Sequence, residues 1–236
     1  MQGRNGAASP FRPPGGLTYG DSVFTLIDRQ RWARREYFEH YLTAVPCQYS
    51  ITTTVDISGI RRSGRKLYPA MLHALATVIN RHEEFRMAFD AEGQLGVHDT
   101  LHPSYTIFHQ DTETFSSIWT AFDADYETFL QSYRRDLQTW GDVHRLEARP
   151  GTPENVFPVS MIPWENFQGF HLHLPKGDRY FFPIFTLGKF REEGGQTLLP
   201  VAVQVHHAVC DGFHVCRLLD ELRALIDALP ADGHAV

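Results

Sequence analysis

The run His206-His207-Ala208-Val209-Cys210-Asp211-Gly212 sets two imidazoles and a carboxylate where an apolar stretch gives way to an amphipathic one. An imidazole has an unperturbed pKa of about 6.5, so one held at such a junction can take a proton from a hydroxyl near pH 7. A reactive site is the leading reading. Two others stand beside it. Asp-Gly ahead of a helix is ordinary turn and capping chemistry, and a buried histidine often only satisfies a core hydrogen bond. His207, Asp211 and His214 could also share one helical face at i, i+4 and i+7 as metal ligands, although no Cys-x-x-Cys or His-Glu-x-x-His pattern accompanies them.

The flanking elements decide how such side chains are presented. Residues 198–205 are aliphatic and β-branched, the signature of a buried strand. Beyond Gly212, Val215, Leu218, Leu219, Leu222, Leu225, Ile226 and Leu229 recur at helical spacing, with Arg217, Asp220, Glu221, Arg223 and Asp227 on the other side. If the strand runs through both histidines, their side chains point to opposite faces, so only one enters a cleft.

The segment from Gln204 to His214, Gln-Val-His-His-Ala-Val-Cys-Asp-Gly-Phe-His, resembles the active-site signature of chloramphenicol acetyltransferases of the trimeric type, type A. Further stretches fall in the order that family shows: Trp32-Ala33-Arg34-Arg35-Glu36-Tyr37-Phe38-Glu39, Tyr68-Pro69-Ala70, Glu84-Phe85-Arg86-Met87-Ala88, Thr106-Ile107-Phe108-His109, Thr112-Glu113-Thr114-Phe115-Ser116 and Ser160-Met161-Ile162-Pro163-Trp164. The resemblance runs from about residue 26 to about residue 229.

It implies an enzyme that transfers acetyl from acetyl-CoA to the 3-hydroxyl of chloramphenicol, confers antibiotic resistance, needs no metal and works as a homotrimer with sites between subunits. His207 would be the general base. Ser160 would hydrogen-bond the tetrahedral oxyanion. Asp211 would pair with Arg34 and brace the site, rather than orient the imidazole as in a Ser-His-Asp triad, while Arg35 reads as a surface charge. Lys66 and Lys189 match basic residues near the 3′-phosphate of coenzyme A. Phe190 stands where an aromatic hydroxyl residue lies beside the adenine, keeping the stacking face and losing the hydroxyl. Tyr41, Cys47, Phe115, Leu172 and Thr186 match drug-lining positions, Thr186 with a water near the transfer centre. His40 stands at a position that varies within the family. The alternatives are a related CoA-dependent acyltransferase on another hydroxyl or on a dihydrolipoyl thiol, and a silent drug-binding module. Against the first, no lipoyl or subunit-binding segment is expected ahead of the domain.

Composition bounds the same picture independently. With 236 residues, of which 42% are hydrophobic, the chain can bury a substantial core as one domain over residues 21–230. A formal net charge of -6 without a Lys/Arg run argues against nucleic acid or an anionic membrane as partner. Cys47, Cys210 and Cys216 are too few and scattered for a disulfide framework, which fits a reducing, cytoplasmic setting. There is no apolar run of membrane-spanning length and no signal-peptide core. Residues 1–20, dense in Gly, Pro and Arg, read as a flexible leader, and 231–236 as a tail.

Periodicity then predicts helices over 31–42, from Tyr68 onward, and over 121–137. Strands are expected over 49–57, 105–109, 159–162 and 170–174. Hairpins are expected at Asp90-Ala91-Glu92-Gly93, between 85–89 and 95–98, and at Glu192-Glu193-Gly194-Gly195, between 184–190 and 198–206. Residues 150–158 read as a loop. The order implies an α/β (α+β) two-layer sandwich, a mixed sheet covered by helices.

Overall fold

The computed structural model describes residues 22–174 and 179–231. The expected leader and nearly all of the expected tail lie outside them. Among the described residues, ten strands and five α-helices follow in chain order: β1 (Phe24–Leu26), α1 (Arg35–Glu39), β2 (Gln48–Asp56), α2 (Ser58–Arg62), α3 (Leu67–Ile79), β3 (Met87–Phe89), β4 (Leu95–His98), β5 (His102–His109), β6 (Thr114–Trp119), α4 (Tyr126–Trp140), β7 (Val156–Met161), β8 (Ile184–Leu187), β9 (Arg191–Glu193), β10 (Gln196–His206) and α5 (Gly212–Asp227).

The main sheet has the order β2-β10-β8-β7-β5-β6, with β9 paired to β10. It is mixed, because β7 runs parallel to both β5 and β8 while the other ladders are antiparallel. A small sheet, β1-β4-β3, stands apart. Helices α3, α4 and α5 cover one face of the main sheet, and α5 buries Val215, Leu218, Leu219, Leu222 and Ile226. Each such side chain contributes roughly 1.5–3 kcal/mol relative to exposure. Gly59 in α2 is needed for contact with α5: a Cβ there would lie 2.0 Å from the carbonyl oxygen of Ile226. Among the described residues no helix is long and apolar enough to cross a membrane.

Several elements differ from the periodicity reading. Residues 31–34 form turns, and the helix over 35–39 gives way to a π-helical turn, His40–Ala44. Glu83–Phe85 is a 3-10 turn ahead of β3. Helix α4 starts only at Tyr126, because the Asp125 side chain caps it by accepting the Thr128 N–H at 2.8 Å. β1, α2 and β6 are not legible from periodicity. The hairpin between β9 and β10 closes on Gly194 and Gly195, both at positive φ (59° and 80°), as a two-residue turn of the primed kind requires.

The expected strand over 170–174 does not form. This segment crosses the helix-free face of the sheet, and its backbone bonds go to side chains. The Leu172 N–H donates to Gln204 Oε1 at 2.8 Å, and Gln204 Nε2 donates to the Leu172 carbonyl at 2.9 Å. One amide side chain thus offers the donor and acceptor that a neighbouring strand would have supplied. This cover also explains why β10 is buried on both faces along nearly its whole length.

Candidate active site

β10 ends at His206, and the two histidines part as the pleat requires. His206 is 1% exposed, its Nδ1 accepts the Ala208 N–H at 3.1 Å, and its ring meets Phe181 edge to face. His207 turns the other way and keeps 27% of its side chain open. Its backbone N–H donates to the Cys47 carbonyl at 2.9 Å, which fastens the end of β10 to the start of β2. The ring stacks on Tyr41 with centroids 3.8 Å apart and planes 11° apart, and Tyr49 meets it edge on at 5.3 Å. The π-helical turn carries Tyr41 over the imidazole, and His40 packs edge to face against Tyr41. Wider helical turns of this kind are often found at functional sites.

Arg34 ties the loop after His207 together. Its Nη1 donates to Asp211 Oδ2 at 2.5 Å and its Nη2 to Oδ1 at 2.7 Å. Nε donates to the Ala208 carbonyl and Nη2 also to the His207 carbonyl, each at 2.9 Å. A guanidinium fork suits this bidentate geometry. These bonds hold the Asp211 carboxyl below the usual carboxylate range, against the opposing effect of partial burial. Asp211 Oδ1 also lies 3.2 Å from His207 Nδ1, but off the ring N–H direction, so that nitrogen makes no directed hydrogen bond. Arg35 is exposed and pairs with Glu39.

Burial pushes the Cys210 thiol and the Tyr49 phenol upward, so both stay protonated. The Tyr49 hydroxyl donates to the Cys210 carbonyl at 3.2 Å. His214, the third candidate metal ligand, has its Nδ1 occupied in accepting the Asp211 N–H at 2.9 Å. No group of three His, Cys, Asp or Glu side chains suited to a metal stands among the described residues.

Other candidates lie elsewhere on the sheet. Ser160 on β7 sits across from Thr186 on β8, and Thr186 across from Ala202 on β10. Thr186 and Leu172 line one small cavity with Phe170, Ile184, Ala202 and Gln204. Phe115 faces Phe108 across the β5–β6 ladder, and Phe108 meets Trp164 at 4.7 Å, so three exposed aromatic rings cluster at that edge. Within one chain Ser160 and His207 do not meet. Ala202, level with Ser160, precedes His207 by five residues, which is roughly 16 Å along the strand, and β7 lies two strands (about 10 Å) away from β10. The candidates therefore form two groups: His207, Tyr41, Cys47, Arg34 and Asp211 at the end of β10, and Ser160, Thr186, Leu172 and Phe115 on the helix-free face.

Lys66 and Lys189 are exposed, Lys66 as the N-cap residue of α3. Phe190 is 40% exposed, with the Arg61 guanidinium 5.9 Å from its ring centre and itself bonded to Glu192.

The sequence model of the chloramphenicol acetyltransferase family matches residues 22–223. The chain belongs to that family. Among chloramphenicol acetyltransferases, the protein of Campylobacter coli is 56% identical over 204 residues, covering 86% of this chain and 99% of its own length. One from Clostridium perfringens is 55% identical over 206 residues, covering 87% and 100%. A solved chloramphenicol acetyltransferase superposes with a TM-score of 0.73 at 22% identity, covering 86% of this chain and 100% of its own. The dihydrolipoamide acetyltransferase of Azotobacter vinelandii superposes at 0.59 and 15% identity, covering 94% and 98%. These last two likenesses show a shared fold.

Within this family member, several residues at the candidate site carry little signal in the motifs. Tyr49 shows only the alternation of a strand, and Gln204 stands in the signature without an evident role although its amide secures residue 172. Arg61 beside Phe190 has no signal beyond its charge. His214 also stands in the signature, and the only role its spacing suggests there is that of a metal ligand.

Proposed function

We propose that the chain acetylates chloramphenicol at its 3-hydroxyl from acetyl-CoA and thereby confers resistance. The observation that carries this reading is the His207 imidazole, fastened through its backbone, stacked on Tyr41 and partly open, in a chain 56% identical to a chloramphenicol acetyltransferase. Nδ1 is buried against Asp211, which leaves Nε2 to act on substrate. His207 Nε2 takes the hydroxyl proton as the oxygen attacks the thioester carbonyl. The new C–O bond forms, the C–S bond breaks, and the proton passes to the departing thiolate of CoA. Ser160 donates to the oxyanion. Both oxygens of Asp211 are engaged by Arg34, so the carboxylate acts as a brace.

The separation of Ser160 from His207 supports a site shared between chains, with His207 of one subunit facing Ser160, Thr186, Leu172 and Phe115 of the next in a homotrimer of type A. Tyr41 and Cys47 line the drug from the histidine side. The exposed ammonium groups of Lys66 and Lys189 and the open ring of Phe190 suit the 3′-phosphate and adenine of CoA.

Thiol release from acetyl-CoA, followed with and without chloramphenicol, tests substrate and reaction together. Drug-dependent release is expected, and its absence would overturn the reading. Initial rates should give the intersecting lines of a ternary complex. Parallel lines with a trappable acetyl-Ser160 would contradict direct transfer.

Ser160→Ala should lower kcat by about 10²-fold, the usual effect of removing one oxyanion donor. Refolding Ser160→Ala together with His207→Ala tests the shared site. About a quarter of the interfaces in a random mixture pair an intact His207 with an intact Ser160, so activity should recover to about that fraction. Activity no greater than that of the separate variants would place both groups in one chain.

A further inference from the structure

Helix α5 opens with a capping box of unusual composition. Asp211 is the N-cap residue and His214 stands at the third helical position, where a Glu or Gln ordinarily reaches back to the N-cap N–H. Here the imidazole takes the place of that carboxylate or amide. The Asp211 N–H donates to His214 Nδ1 at 2.9 Å, while the His214 N–H donates to the Asp211 carbonyl at 3.0 Å. A ring nitrogen that accepts a hydrogen bond has its lone pair engaged and carries no proton. His214 is therefore held as the Nε2–H tautomer. A carboxylate or amide in this position keeps its acceptor throughout the working pH range. An imidazole loses it on protonation.

The residue it caps is also the one that Arg34 grips. From His214 the contacts run to the Asp211 backbone, from the Asp211 carboxylate to Arg34, and from Arg34 to the carbonyls of His207 and Ala208. The His214 ring lines a pocket of about 370 Å³ with Trp32, Arg34, Tyr37, Glu84 and Val209, a pocket that His207 does not line. Protons can reach the ring by this route without crossing the reaction centre.

We propose that His214 is a positioning residue: its unprotonated Nδ1 holds the Asp211 turn, and through Arg34 the His207 imidazole, in working geometry, and a proton arriving at that nitrogen releases them. This deepens the acetyltransfer reading and rests on it. Once protonated, Nδ1 becomes a donor, and the carboxylate oxygen Oδ2 of Asp211 stands 4.0 Å away as a competing partner to Arg34. The charged groups around the ring are Asp211 at the start of α5, Arg217 one turn on, Arg34 ahead of α1, and Glu83 and Glu84 in the 3-10 turn. Burial pushes the His214 ring below the ordinary histidine value, helped by Arg34 and Arg217 and opposed by Glu84 and Asp211. The folded protein thus binds this proton less readily than the unfolded chain. Stability falls as the pH drops below about 6.5 toward the folded value.

The test uses full-length wild type, His214→Ala and His214→Gln. At pH 8, His214→Ala should lower kcat by roughly 10- to 100-fold with KM for both substrates little changed, because a misplaced base acts on substrates that still bind. His214→Gln, whose amide oxygen can accept the same N–H, should recover kcat to within about 3-fold of wild type. In acid, log kcat of the wild type should fall with a steeper slope than that of His214→Gln, by up to about one unit, because only the wild type loses the His214 acceptor on protonation. Ring nitrogen NMR of the wild type should show His214 Nδ1 unprotonated at pH 8, independently of activity.

Wild-type kcat in His214→Ala, or identical acid limbs for wild type and His214→Gln, would overturn the proposal. So would a protonated Nδ1 at pH 8. If His214→Ala fails to fold, the glutamine profile and the NMR still decide. A wild type that releases no thiol with chloramphenicol would instead overturn the acetyltransfer reading. The NMR, and the loss in His214→Gln of part of the acid dependence of Tm, would then judge the His214 linkage alone.

Discussion

His207→Ala is expected to lower kcat by roughly 10²- to 10⁴-fold while KM for chloramphenicol and acetyl-CoA stays within a few fold of wild type. The substitution removes the imidazole and little else. The backbone bond to Cys47 and the two carbonyl bonds from Arg34 do not depend on the side chain. The Tyr41 ring loses its stacking partner but keeps its own helical turn. Loss of proton transfer without loss of the fold is thus the expected signature, read by steady-state thiol release together with a thermal melt. Near-wild-type turnover in a folded variant would remove His207 as the base.

Arg34→Ala should reduce kcat by about 10²-fold and also lower Tm, because one side chain serves both the carboxylate and the two carbonyls of the histidine loop. Arg34 is largely buried, with 14% of its side chain exposed. Its removal leaves Asp211 without its partner and the carbonyls of His207 and Ala208 without a donor. A loss on the order of 1.5–3 kcal/mol for bonds to a charged group corresponds to roughly 5–10 °C in a chain of this size. Arg34→Lys should recover little of the rate, since an ammonium keeps the charge and cannot form the two-pronged contact. The pH dependence carries a sign. Arg34 depresses the Asp211 carboxyl, so the pair stabilises the fold above the ordinary carboxylate value and loses that effect as the pH falls through the folded one. The difference in Tm between wild type and Arg34→Ala should therefore narrow below about pH 4. An Arg34→Lys enzyme with full kcat would contradict the brace.

Local pattern is a good guide where burial is one-sided or complete. The stripe on α5 and the aliphatic run of β10 appear where the spacing places them, because the period of side-chain direction is a property of the backbone itself. The same logic separates His206 from His207 in the bare sequence: neighbours at a strand end face opposite ways. Pattern fails at 170–174, where alternating apolar residues suit a strand but the partner is the Gln204 amide. It also overextends α1, because a π-helical turn retains helical spacing of apolar residues while shifting the ring of Tyr41. β1 and α2 are too short to establish a period.

The sequence by itself determined that a histidine and an aspartate meet a helix start after a buried strand, and the ordered motifs tied the chain to its family. Tertiary structure decided the rest of the candidate site. The pairing of Arg34 with Asp211, 177 positions apart, was expected from the family resemblance and not from any local pattern, and only the fold shows that the same guanidinium also holds the carbonyls of His207 and Ala208. Whether Ser160 can reach His207 depends on strand order and register, which arise from how whole faces pack. Periodicity states which way a side chain points from its own element, and only the assembled sheet determines what stands opposite.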